Sequence, residues 1–219
     1  MKKYFLISAL FILLISIPKM HAQTFGVRAG LNFPSMLDKD EDGVNSDNNR
    51  VKLGFHIGGV VNYAFTDALS VEGSMLLALK GGRSVDKFGS DKNIHRVNLL
   101  YLDIPLTAKY VFNLGSTELY CLGGPYFGIG LSGKEKEIYE SGGNKDTQTW
   151  NVNWGNDADN DDLKVLDGGM NIGAGVILGS IQMGMFYELG LLNLSPNTDN
   201  GIKKKNRNFG LTAVYFFGK

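Results

Sequence analysis

The sequence predicts an all-β fold, an eight-stranded antiparallel up-and-down transmembrane β-barrel. Three observations lead to this prediction. Apolar and polar residues alternate along eight segments, long and short connections alternate between these segments, and an apolar leader precedes the first of them. Alternation of this kind places one face of each strand against lipid and the other face in the barrel interior.

The leader comprises residues 1–22. A basic start is followed by an almost wholly apolar run from Tyr4 to Ile17, and Ala22 ends the segment with a small residue. This run is shorter than the roughly 20 residues that a transmembrane helix needs, so a cleaved signal peptide is favoured over a retained anchor. We therefore predict a signal peptide over residues 1–22 and one outer-membrane barrel domain over residues 23–219.

The eight predicted strands occupy most of the remaining chain. Their ranges are 25–33, 51–65, 69–83, 95–112, 117–132, 165–178, 181–193 and 206–217. Long polar connections at 34–50, 84–94, 133–164 and 194–205 alternate with tight ones at 66–67, 113–116 and 179–180. In outer-membrane barrels the long loops are extracellular and the short turns are periplasmic.

The two faces of the predicted strands differ in composition. Leu102, Ile104 and Leu106 share one face of the fourth strand, whereas Asp103 and Lys109 share the other. Because side chains fill the lumen of an eight-stranded barrel, charges of opposite sign are expected to pair there. The predicted lumen ion network consists of Arg28, Lys52, Glu72, Lys80, Asp103, Lys109, Glu118, Asp167 and Glu188.

Charge and cysteine content narrow the possible functions. Removing the three lysines of the leader leaves 19 basic residues against 22 acidic ones, a net charge of −3, which offers no surface for nucleic acid. The single cysteine, Cys121, cannot form an internal disulfide. The expected partners are outer-membrane lipid and lipopolysaccharide, together with secretion-system or surface proteins.

Six short motifs follow one another along the chain in a characteristic order. They are Gly26–Asn32 (GVRAGLN), Tyr101–Leu106 (YLDIPL), Gly123–Tyr126 (GGPY), Asp167–Gly173 (DGGMNIG), Tyr187–Leu191 (YELGL) and Asn206–Asn208 (NRN). In this succession the chain resembles the PorT-like outer-membrane β-barrel proteins of Bacteroidota-type bacteria. The resemblance implies an eight-stranded barrel with both chain ends in the periplasm, and some relatives take part in protein secretion.

One acidic segment matches the first half of a calcium loop. Asp38, Asp40 and Asp42 alternate just before a glycine, so that their carboxylates could converge on an ion. The twelfth position, however, is Asn49 instead of the bidentate glutamate that such loops use, and a solvated acidic loop is the alternative. A second acidic cluster lies at 157–162. No cofactor is predicted, and Ca²⁺ is the one ion considered.

Residues that could support catalysis are scarce. Behind the leader only His56 and His95 remain, and no Gly-x-Ser-x-Gly turn is present. We therefore predict that the protein is not an enzyme.

Two tryptophans, Trp150 and Trp154, lie in the longest predicted connection. Exposed aromatic residues on such loops serve as contacts for a partner, because they offer a large area at small entropic cost. Alternatively, they fold back onto the barrel rim and anchor it at the membrane interface. Both possibilities are open at this point.

The predicted function is that of an integral protein of the bacterial outer membrane with a plugged polar lumen. Its role would be structural, adhesive or secretion-associated, and its extracellular loops would make the contacts. The alternative is a soluble lipocalin-like barrel that binds a small apolar ligand, and a narrow channel is a third possibility. A soluble carrier would place its apolar side chains inside and its charges outside.

Overall fold

The computed structural model describes residues 23–41, 43–44, 49–89, 91–115 and 117–218. The predicted signal peptide and Asp42 lie outside these residues. The strands, in chain order, are β1 (Gln23–Asp40), β2 (Gly43–Val44), β3 (Asn49–Arg50), β4 (Gly54–Ala64), β5 (Leu69–Phe88), β6 (Asp91–Leu114), β7 (Thr117–Ser141), β8 (Asn144–Asn151), β9 (Leu166–Leu178), β10 (Ile181–Gly190) and β11 (Lys203–Phe216). A 3-10 helix spans Asp199–Gly201. Within the described ranges, no helix has the length and apolar character needed to cross a bilayer.

Eight of these strands close into a ring. The order around the ring is β1, β4, β5, β6, β7, β9, β10 and β11, and every neighbouring pair is antiparallel. Closure is made by β11 and β1, which pair from Gly26 with Phe216 to Lys39 with Lys203. The predicted eight-stranded up-and-down barrel is therefore confirmed, and closure leaves no open sheet edge within the wall.

All eight predicted strands are present, but the prediction that 34–50, 84–94 and 133–164 are polar connections is wrong in part. β1 continues to Asp40, β5 and β6 meet in a tight hairpin at Phe88 and Asp91, and β7 continues to Ser141 before turning back as β8. These segments carry charges on both faces, so the apolar alternation that identifies a membrane strand is lost although the backbone stays extended.

The outside of the ring is apolar and its interior is polar. Phe55, Leu106 and Ile172 face outward and expose 51%, 51% and 59% of their surface, whereas charged residues such as Glu72 and Lys80 are buried inside. The soluble lipocalin-like alternative is wrong, because it requires apolar side chains inside and charges outside. Exposed apolar side chains are stable in this arrangement only when lipid surrounds them.

A β-bulge marks the upper end of the apolar wall. Leu100 of β6 pairs with Ser132, whereas Tyr101 pairs with Gly130, so Leu131 is an extra residue on β7. One extra residue inverts which side chains of β7 face outward. Lys136, opposite Arg96, therefore faces outward, although even-numbered residues of β7 below the bulge face the lumen.

Above the bulge, four strands extend beyond the ring. We call this part the projecting sheet; it consists of residues 83–88 of β5, 91–98 of β6, 133–141 of β7 and all of β8. Since an extended residue advances about 3.3 Å, residues 133–141 alone span about 30 Å along the strand. Part of the chain that was predicted to form extracellular loops is therefore an ordered sheet.

Candidate functional site

The periplasmic half of the lumen holds an ion cluster around Glu72. Its carboxylate accepts hydrogen bonds from the guanidinium of Arg28 and from Lys109, whose Nζ lies 2.9 Å from Oε2. Lys109 also donates to Oε1 of Gln182 at 3.0 Å. All four residues are buried. Two cations thus share one carboxylate, and the mutual contacts offset the cost of removing these charges from water.

The extracellular half of the lumen holds a second cluster, centred on Lys80. Its Nζ lies 2.8 Å from Asp103, 3.2 Å from Glu188 and 3.8 Å from Asp167. The same ammonium group lies 4.4 Å from the ring centre of Tyr126. Three carboxylates therefore surround one buried cation, the reverse of the charge balance at Glu72.

Neutral donors also bind two of these carboxylates, Asp167 and Glu188. Asn206 Nδ2 donates to Asp167 Oδ2 at 2.9 Å, and Asn208 Nδ2 donates to Glu188 Oε2 at 3.0 Å. The hydroxyl of Tyr126 donates to Asp167 at 3.3 Å. The two asparagines and the tyrosine were missed in the sequence analysis. Their signal was present, because each lies at an inward position of its strand within one of the six motifs that carry the family resemblance.

Seven of the nine predicted lumen residues lie in these two clusters: Arg28, Glu72, Lys80, Asp103, Lys109, Asp167 and Glu188. The other two lie at opposite mouths of the barrel. Lys52 is half-buried beyond β4, where burial and the charge of Arg96 lower its pKa. Glu118 is half-buried at the periplasmic mouth, beside a cavity of about 400 Å³. The structure brings neither residue into a cluster.

The space between the two clusters is small. A cavity of about 20 Å³ lies beside Arg28, His56 and Glu188, which is room for roughly one water. His56 is held there by Asn32, whose Oδ1 lies 2.9 Å from Nδ1, and by Thr212, whose Oγ1 lies 3.0 Å from Nε2. The imidazole thus pairs with an amide and a hydroxyl.

An apolar cap closes the extracellular mouth. It is formed by Met36, Val97, Leu99, Tyr101, Val152, Leu163 and Leu194, with Trp154 packed against them. The indole of Trp154 meets the ring of Tyr101 edge-on at 5.6 Å. A Cβ added at Gly130 would lie 2.4 Å from this indole, so close packing requires glycine there. Trp154 therefore folds back onto the barrel and packs in the cap over the lumen, and its two predicted roles, partner contact and interface anchor, stay predictions.

Trp150 lies in β8, on the inner side of the projecting sheet, and is 38% exposed. Its Nε1 donates to Glu135 Oε2 at 3.2 Å, and its ring lies 6.4 Å from that of His95. The hydrogen bond with Glu135 raises the pKa of His95, and the same bond lowers the pKa of Glu135.

The acidic segments are ordered by their own backbone. Asp38 and Asp40 belong to β1, and Asp40 Oδ1 accepts a hydrogen bond from the N–H of Gly43 at 3.2 Å. In the cluster at 157–162, carboxylates accept N–H groups of the same loop at 2.8 and 3.0 Å. Among the described residues, no group of three carboxylate, histidine or cysteine side chains is placed to hold a metal. A calcium site that includes Asp42 stays a prediction, which calorimetry with Ca²⁺ tests.

Residues 20–195 match the family described as Outer membrane protein beta-barrel domain. No curated protein sequence matches the chain.

Two solved structures are similar in outline. The attachment invasion locus protein Ail of Yersinia pestis is 17% identical, with 90% of this chain and 100% of that chain covered and a TM-score of 0.36. Neisserial surface protein A, from Neisseria, is 12% identical, with 87% and 96% covered and a TM-score of 0.39.

The family match spans most of the chain, including seven of the eight ring strands in full. It agrees with a closed ring that is apolar outside and ion-paired inside. The chain therefore belongs to the family of outer membrane protein beta-barrel domains, and it is a protein of the bacterial outer membrane.

Proposed function

We propose that this chain is an interaction protein of the cell surface, in which the barrel is the membrane anchor and the projecting sheet contacts a protein partner. The exposed, unpaired edge of β8 supports this proposal most. This strand pairs with β7 along one edge, and all eight of its residues are exposed. Among the described residues, no strand pairs with its other edge.

A free strand edge offers a specific kind of contact. Its unpaired N–H and C=O groups can hydrogen-bond to an extended segment of a partner, which then adds a strand to the sheet. Trp150 lies on the same strand and presents more than a third of its surface, as an aromatic contact residue does. Ion-paired side chains fill the lumen, so the proposal includes neither transport nor a reaction.

Two finer forms of this function differ in where the partner lies. The resemblance to PorT-like proteins supports a secretion-associated role, with a partner in the same cell envelope. A structural or adhesive role would instead place the partner in the cell wall or on another surface. Deleting the chromosomal copy and measuring the proteins released into the medium separates the two forms, because only the secretion-associated role predicts a change there.

The contact surface is tested by site-specific photo-cross-linking in living cells. A photoreactive residue replaces Gln148 of β8, and a control carries it at Thr198, in the loop before β11. We expect a protein adduct from position 148 only, and its loss when Trp150→Ala is added. Equal adducts from both positions, or none from position 148, would contradict the proposal.

Membrane insertion is checked in the same cells. Each variant should fractionate with outer membranes and migrate faster on a gel when unheated, as folded barrels do. A variant that passes both checks and forms no adduct then reports on the contact and not on folding.

A further inference from the structure

Charges in the projecting sheet are sorted by face. Side chains that continue the lipid-facing side of the wall are mostly cationic, and those that continue the lumen side are mostly anionic. Among residues with described side chains, the outer cations are Arg83, Lys92, Arg96, Lys134, Lys136 and Lys145. The inner anions are Asp86, Asp91, Glu135, Glu137 and Asp146. Such separation within one sheet points to a different partner on each side.

The bulge at Leu131 produces this sorting on β7. Without the extra residue, Lys134 and Lys136 would lie on the lumen side of the sheet, as Tyr126 and Gly128 do. With it, they stand opposite Asn98 and Arg96 on the outer face. Bulges commonly re-aim side chains at the rim of a barrel.

Three of the outer cations form a direct cross-strand row, which we call the basic row: Arg83 pairs with Arg96, and Arg96 pairs with Lys136. Like charges that stand directly opposite one another destabilise a sheet. No ion pair joins the basic row to an acid of the described residues. The acid at an outer position nearby, Glu140, contacts Lys92 at 3.6 Å and Lys145 at 3.5 Å instead.

The arginines of the basic row also carry unused hydrogen-bonding capacity. The Nε atoms of Arg83 and Arg96 are buried without a hydrogen-bond partner in the described part of the chain. Beyond the row lies a buried apolar cluster of Val85, Ile94 and Ile138, at outer positions of the same three strands. The guanidinium groups are therefore held at an apolar surface, where an anion gains more from them than it would in open water.

The side chains of the basic row reach the height of the lipid headgroups. On β6 the continuous run of apolar outer residues ends at Leu100, and Arg96 follows four residues further along the strand, with Ile94 beyond it. Four residues advance about 13 Å along the strand and about 10 Å along the membrane normal at the usual tilt. Headgroups occupy roughly 5–8 Å beyond the hydrocarbon on each side, so long arginine and lysine side chains reach them.

We infer that the basic row binds phosphate groups of the glycolipid in the outer leaflet. Arginine guanidinium groups match phosphate oxygens in a bidentate geometry, and Lys136 adds a third positive charge. This site deepens the partner prediction of lipopolysaccharide and does not depend on the protein contact proposed for β8. An anionic glycolipid also removes the like-charge repulsion that the row carries by itself.

The test measures binding of purified lipid A carrying two phosphates to the folded full-length protein in a neutral detergent. The variant R83Q/R96Q/K136Q removes the basic row. The matched control K39Q/K145Q/K203Q makes the same change of charge at outer strand ends farther from the membrane. We expect the row variant to lose at least about tenfold in affinity, the equivalent of one charge-assisted hydrogen bond, and the control to stay within about twofold.

Two further probes identify the chemistry that is bound. Lipid A without phosphates should bind the wild-type protein as weakly as the row variant binds the bisphosphate. Inorganic phosphate at millimolar concentration should not displace the lipid. Displacement by inorganic phosphate would show a free-anion site and overturn the assignment to lipid, and equal binding of the dephosphorylated lipid would overturn the assignment to phosphate.

Folding is controlled by the heat-dependent gel shift, and R96Q alone replaces the triple variant if the latter does not fold. Unchanged lipid affinity in the folded row variant, or an equal loss in the control, would overturn the inference. Because the cross-linking at Gln148 measures a protein contact, either proposal can fail while the other stands.

Discussion

The lumen and the projecting sheet arrange their charges in opposite ways. In the lumen, Lys80 lies 2.8 Å from Asp103, and Lys109 lies 2.9 Å from Glu72. In the projecting sheet, most cations lie on one face and most anions on the other face of the same strands. Water accounts for the difference, because an unpaired charge costs several kcal/mol when buried and little when exposed. Charge can thus be used for recognition only above the membrane.

The sharpest way to break this comparison is to remove one lysine from each region. Lys80→Met leaves three buried carboxylates without their cation, and we expect it to lower the free energy of unfolding by about 3–5 kcal/mol. Lys134→Met removes an exposed cation of the projecting sheet, and we expect a change of less than about 0.5 kcal/mol. Urea titration of the folded form in detergent micelles measures both. Equal losses would show that the lumen cluster does not stabilise the barrel.

A second comparison concerns the cap, where the two regions meet. Gly130→Ala places a methyl group against the indole of Trp154, and we expect a cost of about 1–3 kcal/mol together with a shift in tryptophan fluorescence. Gly59→Ala is the control, since nothing lies within 4 Å of a Cβ added there. The same urea titration and an emission spectrum measure the effect. Fluorescence that stays unchanged in Gly130→Ala would place the indole outside the mouth.

The smallest expected effect is a change in proton affinity on the projecting sheet. The bond to Glu135 raises the pKa of His95, so its contribution to stability is complete below the unfolded pKa and is lost as pH rises through the folded pKa. Glu135 itself has a lowered pKa, so its contribution is lost as pH falls through that value. Glu135→Gln should return the pKa of His95 toward about 6.5. Titration of the imidazole by NMR measures this, with Asp146→Asn, a change of charge on the same face of the projecting sheet, as the control.

Alternation predicted the eight strands because lipid on one side and packed polar groups on the other impose a period of two. The lumen charges followed from the same parity, as the burial of Glu72 and Asp167 shows. Lys52 and Glu118 also lie at inward positions, but at the mouths of the barrel. Alternation predicts which face of a strand a residue occupies and does not predict how far along the barrel axis it lies.

The projecting sheet could not be recognised in this way. Residues 84–94 and 133–151 are extended but carry charges on both faces, so they resemble loops in the sequence. The bulge at Leu131 reverses which side chains of β7 face outward, and no proline or asparagine marks its position in the sequence. The position of Trp154 depends on contacts with Tyr101 and Leu163, which lie on other segments, and local patterns do not report such contacts.

The central claim is that lipid surrounds the apolar face of β6 up to Leu100 and that the same face is accessible to water at Arg96. Spin labels at Leu102, Leu106 and Arg96, each introduced as a single cysteine in a Cys121→Ala background, test it in reconstituted bilayers. Labels at Leu102 and Leu106 should be relaxed more strongly by oxygen than by a water-soluble nickel chelate, and the label at Arg96 should show the reverse. Strong relaxation by the nickel chelate at Leu102 and Leu106 would contradict the account.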